Sequence, residues 1–290
     1  MGMRKLAKRT KHLNRSFSGN MTVTIVLILA GAFMFLPMLY VITNSLKPLD
    51  ELWYFPPRFF AQNPTLRNFS ELFRIMSNTN VPFLRYICNT ISIAVLGTGG
   101  HLIFASMCAY VFAKHKFYGR DLMFNTVVIA LMFNATVTAI PQFLVITTLG
   151  MINSFWAYVI PAFGSPLGLY LMKQFMESNV NDTIIEAAKI DGAGEWSMFT
   201  KIVMPMVRPG WLTLIVFSFQ NLWNVGSTTY IFKEELKTIN YALSQVLAGG
   251  IARAGVGAAV SVVMMIVPIT VFILTQSNIV QTMSTSGMKD

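Results

Sequence analysis

The chain has 290 residues, of which 54% are hydrophobic and only 12% charged, with a mean hydropathy of +0.57. A soluble domain carries roughly 25% charged residues, so this chain has too few to coat a globule, and a soluble enzyme or a disordered protein is excluded as the leading reading. The 22 Lys and Arg against 12 Asp and Glu give +10, but the basic residues lie between apolar blocks rather than in a stripe, which fits membrane orientation better than nucleic-acid binding.

In chain order, the first 20 residues carry Arg4, Lys5, Lys8, Arg9, Lys11 and Arg15 and no acid. They read as a basic cytoplasmic tail. The apolar run that follows, Val23 to Ile42, is too long for the core of a signal peptide and reads as a spanning helix. Charge-free stretches at 16–46, 86–113, 122–172, 209–232 and 254–288 supply six spans if the third is divided near Thr147–Ser154. The expected limits are 21–43, 86–112, 122–147, 153–173, 210–232 and 258–280. Lys114, Lys116 and Arg120 place the 113–121 loop on the cytoplasmic side with the tail, and an even number of spans returns the C-terminus there.

The expected architecture is therefore all-α and integral to the membrane, with six transmembrane helices and both termini cytoplasmic. Its parts are a tail over 1–20, a first span with an extracytoplasmic loop over 21–84, a core transmembrane domain over 85–280 and a cytoplasmic C-terminal tail over 281–290. Cys88 and Cys108 stand about 30 Å apart if they share one helix, beyond disulfide reach. No CxxC pattern, HExxH or His/Cys cluster suggests a metal site.

The spans hold no Asp, Glu, Lys or Arg well inside them, which argues against an ion-coupled carrier and an intramembrane enzyme. His101 is the one titratable group at that depth, and a packed, hydrogen-bonded role is expected of it. Neutral polarity remains: Asn89, Asn125, Asn134, Gln142, Gln220, Asn221 and Asn224. Phe217–Asn224 is the densest group. Its amides and aromatics suit a path for a hydroxyl-rich solute, with Gln220, Asn221, Trp223 and Asn224 as candidate pathway residues. The competing reading is helix–helix adhesion, at about 0.6 kcal/mol per hydrogen bond.

Between the fourth and fifth expected spans, residues 181–209 form a long cytoplasmic loop. Thr183 to Glu186 is a T-x-x-E capping box that starts a short helix. Ala187 and Ala188 have little side chain, so another surface can approach closely. Gly192 suits the left-handed stop. Trp196, Phe199, Ile202 or Val203, and Met206 recur at helical spacing and predict a second helix with one apolar face beneath the bundle. Pro205 and Pro209 turn the chain into the fifth span. Such a capped knuckle can pass a push from a soluble partner to the membrane helices; an ordinary interfacial loop is the alternative.

The string Glu186-Ala187-Ala188, Asp191-Gly192-Ala193, Phe199, Ile202, Pro205 and Pro209 resembles the EAA loop of binding-protein-dependent ABC importer permeases. Ser45-Leu46-Lys47-Pro48, Phe55-Pro56-Pro57, Asn63–Phe69 and the tail Gly287-Met288-Lys289 resemble the carbohydrate-uptake subclass, in particular MalG-like maltose-permease subunits. The resemblance implies a second permease subunit (MalF-like), two ABC ATPase subunits, an extracytoplasmic solute-binding protein and a sugar substrate in the bacterial cytoplasmic membrane. It implies that Glu186, Ala187, Ala188, Asp191, Gly192 and Ala193 form a coupling helix seated on an ATPase, Glu186 meeting a basic residue there, and that Gly287, Met288 and Lys289 reach the ATPase interface. It also implies no cofactor on this chain, ATP and Mg being held by the ATPase partners; no GxxxxGK[ST] loop occurs here. A permease for peptides or amino acids, a secondary carrier and a membrane scaffold stay open as alternatives.

Overall fold

The computed structural model describes residues 17–77, 81–226, 229–250 and 253–286, and all regular structure among them is helical. The helices are α1 (Phe17–Ser45), α2 (Leu49–Leu52), α3 (Arg67–Ser77), α4 (Phe83–Lys114), α5 (Arg120–Ala130), α6 (Ala135–Thr148) and α7 (Trp156–Phe163). They continue with α8 (Pro166–Asn179), α9 (Asp182–Ile190), α10 (Glu195–Met206), α11 (Arg208–Trp223), α12 (Ile239–Leu247) and α13 (Ala254–Ser286).

Three unbroken helices are long and apolar enough to cross a membrane: Met21–Ser45, Phe83–Lys114 and Ala254–Gln276. They coincide with the first, second and sixth expected spans. The other three expected spans are not unbroken helices with the expected limits. The third, 122–147, breaks after Ala130, and its halves α5 and α6 meet at 110°. The cause is local: Asn134 caps α6 by accepting a hydrogen bond from the Thr136 amide at 2.9 Å, restarting the helix instead of continuing it. The fourth, 153–173, is split at Gly164-Ser165; Pro166 has no amide hydrogen to donate and occupies the first turn of α8, the position where that lack costs nothing.

The fifth expected span, 210–232, stops at Trp223. Beyond it the chain is pinned without helix by Asn153, whose side-chain oxygen accepts from the Phe232 and Lys233 amides at 2.7 and 3.0 Å. The Asn153 amide in turn donates to the Tyr230 carbonyl at 2.9 Å. With α10–α11 and α5–α6 each taken as one bent span, the described residues hold up to five spans by length and composition.

The organising helix is α4, which packs against α7, α8 and α11, while α13 packs against α11, α1 and α3. Close approach on α4 depends on missing side chains. A Cβ on Gly100 would sit 2.0 Å from the Phe163 ring of α7, so only glycine lets the two helices meet there. The loop after α1 is fastened by buried polar groups. Asn68 donates to the Ser45 and Lys47 carbonyls at 2.9 and 2.7 Å, and Glu51 accepts from the Gln62 amide at 2.6 Å.

Candidate docking helix and polar cleft

The EAA-like segment forms α9, a short helix closed at both ends. The capping residue is Asn181, whose side chain accepts from the Thr183 amide at 3.2 Å. This corrects the T-x-x-E expectation: Thr183 lies inside the first turn, two residues past the cap. Asparagine is at least as good a cap as threonine, and starting earlier brings Asp182 into the first turn, where its charge favours the helix dipole.

At the other end Gly192 adopts φ +79°, as its spacing predicted. The Ala193 amide donates to the Ala188 carbonyl at 2.9 Å and the Gly192 amide to the Lys189 carbonyl at 3.0 Å. That bond pair is a Schellman closure, and Ala193 packs on the same apolar cluster as Ala188.

The start of α9, and the start of α10 just beyond it, are also fastened to the end of α4. Lys114, with a side chain only 5% exposed, donates to the Val180 carbonyl at 2.6 Å and to Asp182 Oδ1 at 2.7 Å. The hydrogen bond and charge of Lys114 hold the Asp182 carboxyl below its ordinary value. Beyond the Gly192 stop, Glu195 Oε2 accepts from the Tyr110 hydroxyl at 2.9 Å and lies 3.4 Å from His115 Nε2, with Lys189 Nζ 3.6 Å from its Oε1. Burial pushes the Glu195 carboxyl up, but Tyr110, His115 and Lys189 together bring it below its ordinary value. The end of α4 therefore holds the start of α9 directly and the start of α10 beyond its stop, with Lys189 tying the last turn of α9 to Glu195.

The body of α9 divides between base and outer face. Ile185 and Ala188 are buried with Ala109 and Tyr110 of α4, Met176 of α8, and Met198, Phe199 and Val203 of α10. Glu186, Ala187, Asp191 and Gly192 are exposed. Ala188 thus serves the base rather than the outer surface expected of it, and Ala193 is half-buried beside it. Among the described residues Glu186 makes no ion pair, which leaves its charge available to an outside cation. The sequence reading missed Ile190, which is 87% exposed and extends the outer face with an apolar side chain. It also missed the staples: Lys114 read only as an orienting charge, and nothing in the sequence spacing ties it to Asp182.

The expected apolar face of α10 is found at Phe199, Val203, Ile202 and Met206, with Trp196 as the exception. Met198–Val203 is a π-helical stretch, and its wider turn rotates the register so that Met198, Phe199, Val203 and Val207 are buried. Trp196 is left 64% exposed, touching Phe199 with ring centroids 5.7 Å apart.

The Phe217–Asn224 group separates into different roles. Trp223 is 2% exposed; its Nε1 donates to the Met264 carbonyl of α13 at 3.2 Å and its ring stacks on Phe219. It joins α11 to α13. Asn224 ends α11, donating to the Gln220 carbonyl at 2.9 Å and accepting from Asn240 at 2.5 Å. Gln220 is half-buried away from the cleft described next. Of the group's polar residues, Asn221 and Ser218 line a cleft of about 480 Å³ between α4, α6, α7 and α11. His101 of α4 lies on its wall, 4% exposed, with Nδ1 2.5 Å from Ser218 Oγ. This is the packed, hydrogen-bonded histidine expected from the sequence.

Among the described residues no group of three His, Cys, Asp or Glu could hold a metal ion. Cys88 and Cys108 are free and exposed. Gly287, Met288 and Lys289, and the basic residues of segment 1–16, lie outside the described residues.

Comparison with known proteins gives a consistent picture. Residues 101–285 match the family model "Binding-protein-dependent transport system inner membrane component". The diacetylchitobiose uptake system permease protein NgcG of Streptomyces coelicolor is 29% identical over 222 residues, which cover 76% of this chain and 70% of that protein. The galactooligosaccharides transport system permease protein GanQ of Bacillus subtilis is 26% identical over 258 residues, covering 87% and 89%. Among solved structures, a chain of a bacterial ABC transporter involved in the import of the acidic polysaccharide alginate aligns with a TM-score of 0.74 at 21% identity. It covers 92% of this chain and 99% of that one, a likeness of fold.

Proposed function

The chain belongs to the family of binding-protein-dependent transport system inner membrane components, and we propose that it is a permease subunit of an ATP-driven importer for a sugar or oligosaccharide. It would form half of a translocation pathway with a second permease subunit, take its solute from an extracytoplasmic binding protein, and hydrolyse no ATP itself. The saccharide class draws support from the named substrates of NgcG and GanQ. The mechanism draws support from one observation above all: the end of α4 holds the first turn of α9 through Lys114–Asp182 and the start of α10, just past the α9 stop, through Tyr110–Glu195, with Glu186, Ala187, Ile190 and Asp191 turned outward.

In this reading the outer face of α9 seats in an ATPase subunit. Closure of the ATPase pair on ATP displaces α9, and the Lys114 and Tyr110 links carry the displacement into α4. Because α4 also packs on α7, α8 and α11, moving it moves the walls of the polar cleft. A push delivered through two charge-assisted bonds and a buried apolar base transmits displacement better than a loop free to bend.

The test is reconstitution of the full complex, two permeases and two ATPases, in lipid vesicles with the cognate binding protein. The proposal expects ATP hydrolysis that rises with the liganded binding protein and falls to the unstimulated rate in Glu186→Ala. Uptake that persists without ATP on an ion gradient would establish a secondary carrier instead.

A further inference from the structure

The cleft between α4, α6, α7 and α11 contains no charged residue, and two of its side chains are unaccounted for. Among the described residues the amides of Gln142 and Asn221 have no hydrogen-bond partner. Of the other candidate amides, Asn125 and Gln220 also lack a side-chain partner among the described residues, but neither lines the cleft, and the remaining ones are engaged. Asn89 is spent on the Glu235 and Lys237 carbonyls, Asn134 on a helix cap and Asn224 on a helix end. A primary amide left unpaired in an apolar medium costs about 1–3 kcal/mol on mutational scales, so at membrane depth Gln142 and Asn221 need water, solute or another chain.

The remaining wall is built for neutral hydrogen bonding. His101 and Ser218 hold each other at 2.5 Å, which fixes the imidazole beside the cleft. The far edge of that ring lies against α8, where a Cβ on Gly168 would sit 2.0 Å from Nε2; only glycine admits the ring. Tyr158 and Ser165 complete the polar lining. The cleft also borders Ala135, at the break between α5 and α6, so it sits where the third expected span fails to continue.

Resting on the importer reading above, we infer that this cleft is the stretch of solute pathway contributed by this chain. It is a water-filled, uncharged wall on which Gln142 and Asn221 exchange hydrogen bonds with the hydroxyl groups of a passing saccharide, while His101 and Ser218 brace it. Neutral amides suit that task because they donate and accept equally and hold no solute by charge. The inference adds His101, Gln142 and Ser218 to the sequence expectation and removes Gln220, Trp223 and Asn224 from it.

The experiment uses the assembled importer with Cys88 and Cys108 replaced by serine, and single cysteines introduced as Gln142→Cys, Asn221→Cys and Leu144→Cys. The probe is a membrane-impermeant methanethiosulfonate reagent, applied to nucleotide-free and ATP–vanadate-trapped complexes. Leu144 is the reference: it is exposed on α6 but two residues from Gln142, hence on the opposite side of the helix. Cysteines in a wet pathway should react at least about tenfold faster than one at position 144 in at least one nucleotide state, because an apolar setting suppresses the reactive thiolate. If either cleft position is as slow as position 144 in both states, the inference is overturned and the amides are sealed against the partner permease. Ala135→Cys, also on the cleft wall, replaces any variant that fails to assemble. Binding-protein-stimulated hydrolysis in the unsubstituted complex separates the failures: its absence sinks the importer reading, whereas its presence with silent cysteines sinks only the pathway assignment.

Discussion

The α9 knuckle and the polar end of α11 are both short segments whose residue types drew attention, yet their side chains were deployed in different ways. In α9 the direction of each group follows from local rules: a cap, a dipole, a left-handed stop and helical spacing. In α11 the direction depends on which neighbour stands where. Two residues apart on one helix, Trp223 and Asn221 must face opposite ways, but only the packing decides that Trp223 meets α13 and Asn221 the cleft. Segments closed by local bonds can be read from sequence; segments sorted by tertiary contact cannot.

The largest effect should come from breaking the closure of α9. Gly192→Val forces a β-branched residue to φ +79°, at a cost of about 1–2 kcal/mol for the left-handed backbone alone. Stimulated ATP hydrolysis should fall to its basal rate while the chain still inserts. Lys114→Met comes next, since it strips the Val180 carbonyl and Asp182 of their shared cation; amide hydrogen exchange within α9 should accelerate about tenfold or more, given the 1.5–3 kcal/mol typical of a charged hydrogen bond. Unchanged exchange would show that the apolar base alone fixes the knuckle.

A pair of substitutions in α11 sharpens the contrast. Trp223→Phe loses the bond to the Met264 carbonyl, worth about 1 kcal/mol, and should lower the thermal midpoint of the complex with little change in transport per folded complex. Asn221→Ala should leave the midpoint within measurement and alter transport. The opposite pattern would return Asn221 to a structural role and make Trp223 functional.

The smallest expected effect is on pH. Asp182 and Glu195 both ionise more readily in the folded chain than their ordinary values of 3.8 and 4.5. A depressed folded pKa gives stabilisation that is complete above the unfolded value and is lost as pH falls through the folded one. The α9 staples should hold from neutrality down to about pH 4.5 and loosen below it, seen as faster exchange in α9 ahead of α4. Both carboxylates are largely solvent-exposed, so screening keeps the effect small.

Much of this was legible beforehand. The unbroken apolar runs gave α1, α4 and α13 nearly to their ends, because length and hydropathy suffice for an uninterrupted helix. The breaks at Asn134 and at Ser165-Pro166 were not anticipated, because hydropathy averages over single capping residues that redirect the backbone. At α9, Gly192 and the outward Glu186 and Ala187 were found where expected. The cap moved to Asn181 and Ala188 turned inward, because α4 and α10 supply a base that sequence spacing does not display. Lys114–Asp182 and Tyr110–Glu195 join residues distant in sequence, and the wide turn at Met198–Val203 buries Met198 while leaving Trp196 out of the expected face.

The central claim, that the outer face of α9 is where an ATP-hydrolysing partner grips this subunit, is tested most directly by proximity. In the assembled complex lacking native cysteines, Ala187→Cys should form a crosslink to an ATPase subunit with a short bifunctional maleimide, and the crosslink should abolish binding-protein-stimulated hydrolysis. A complex that shows normal stimulated hydrolysis while position 187 reacts freely with soluble thiol reagents and never crosslinks to an ATPase would contradict the account.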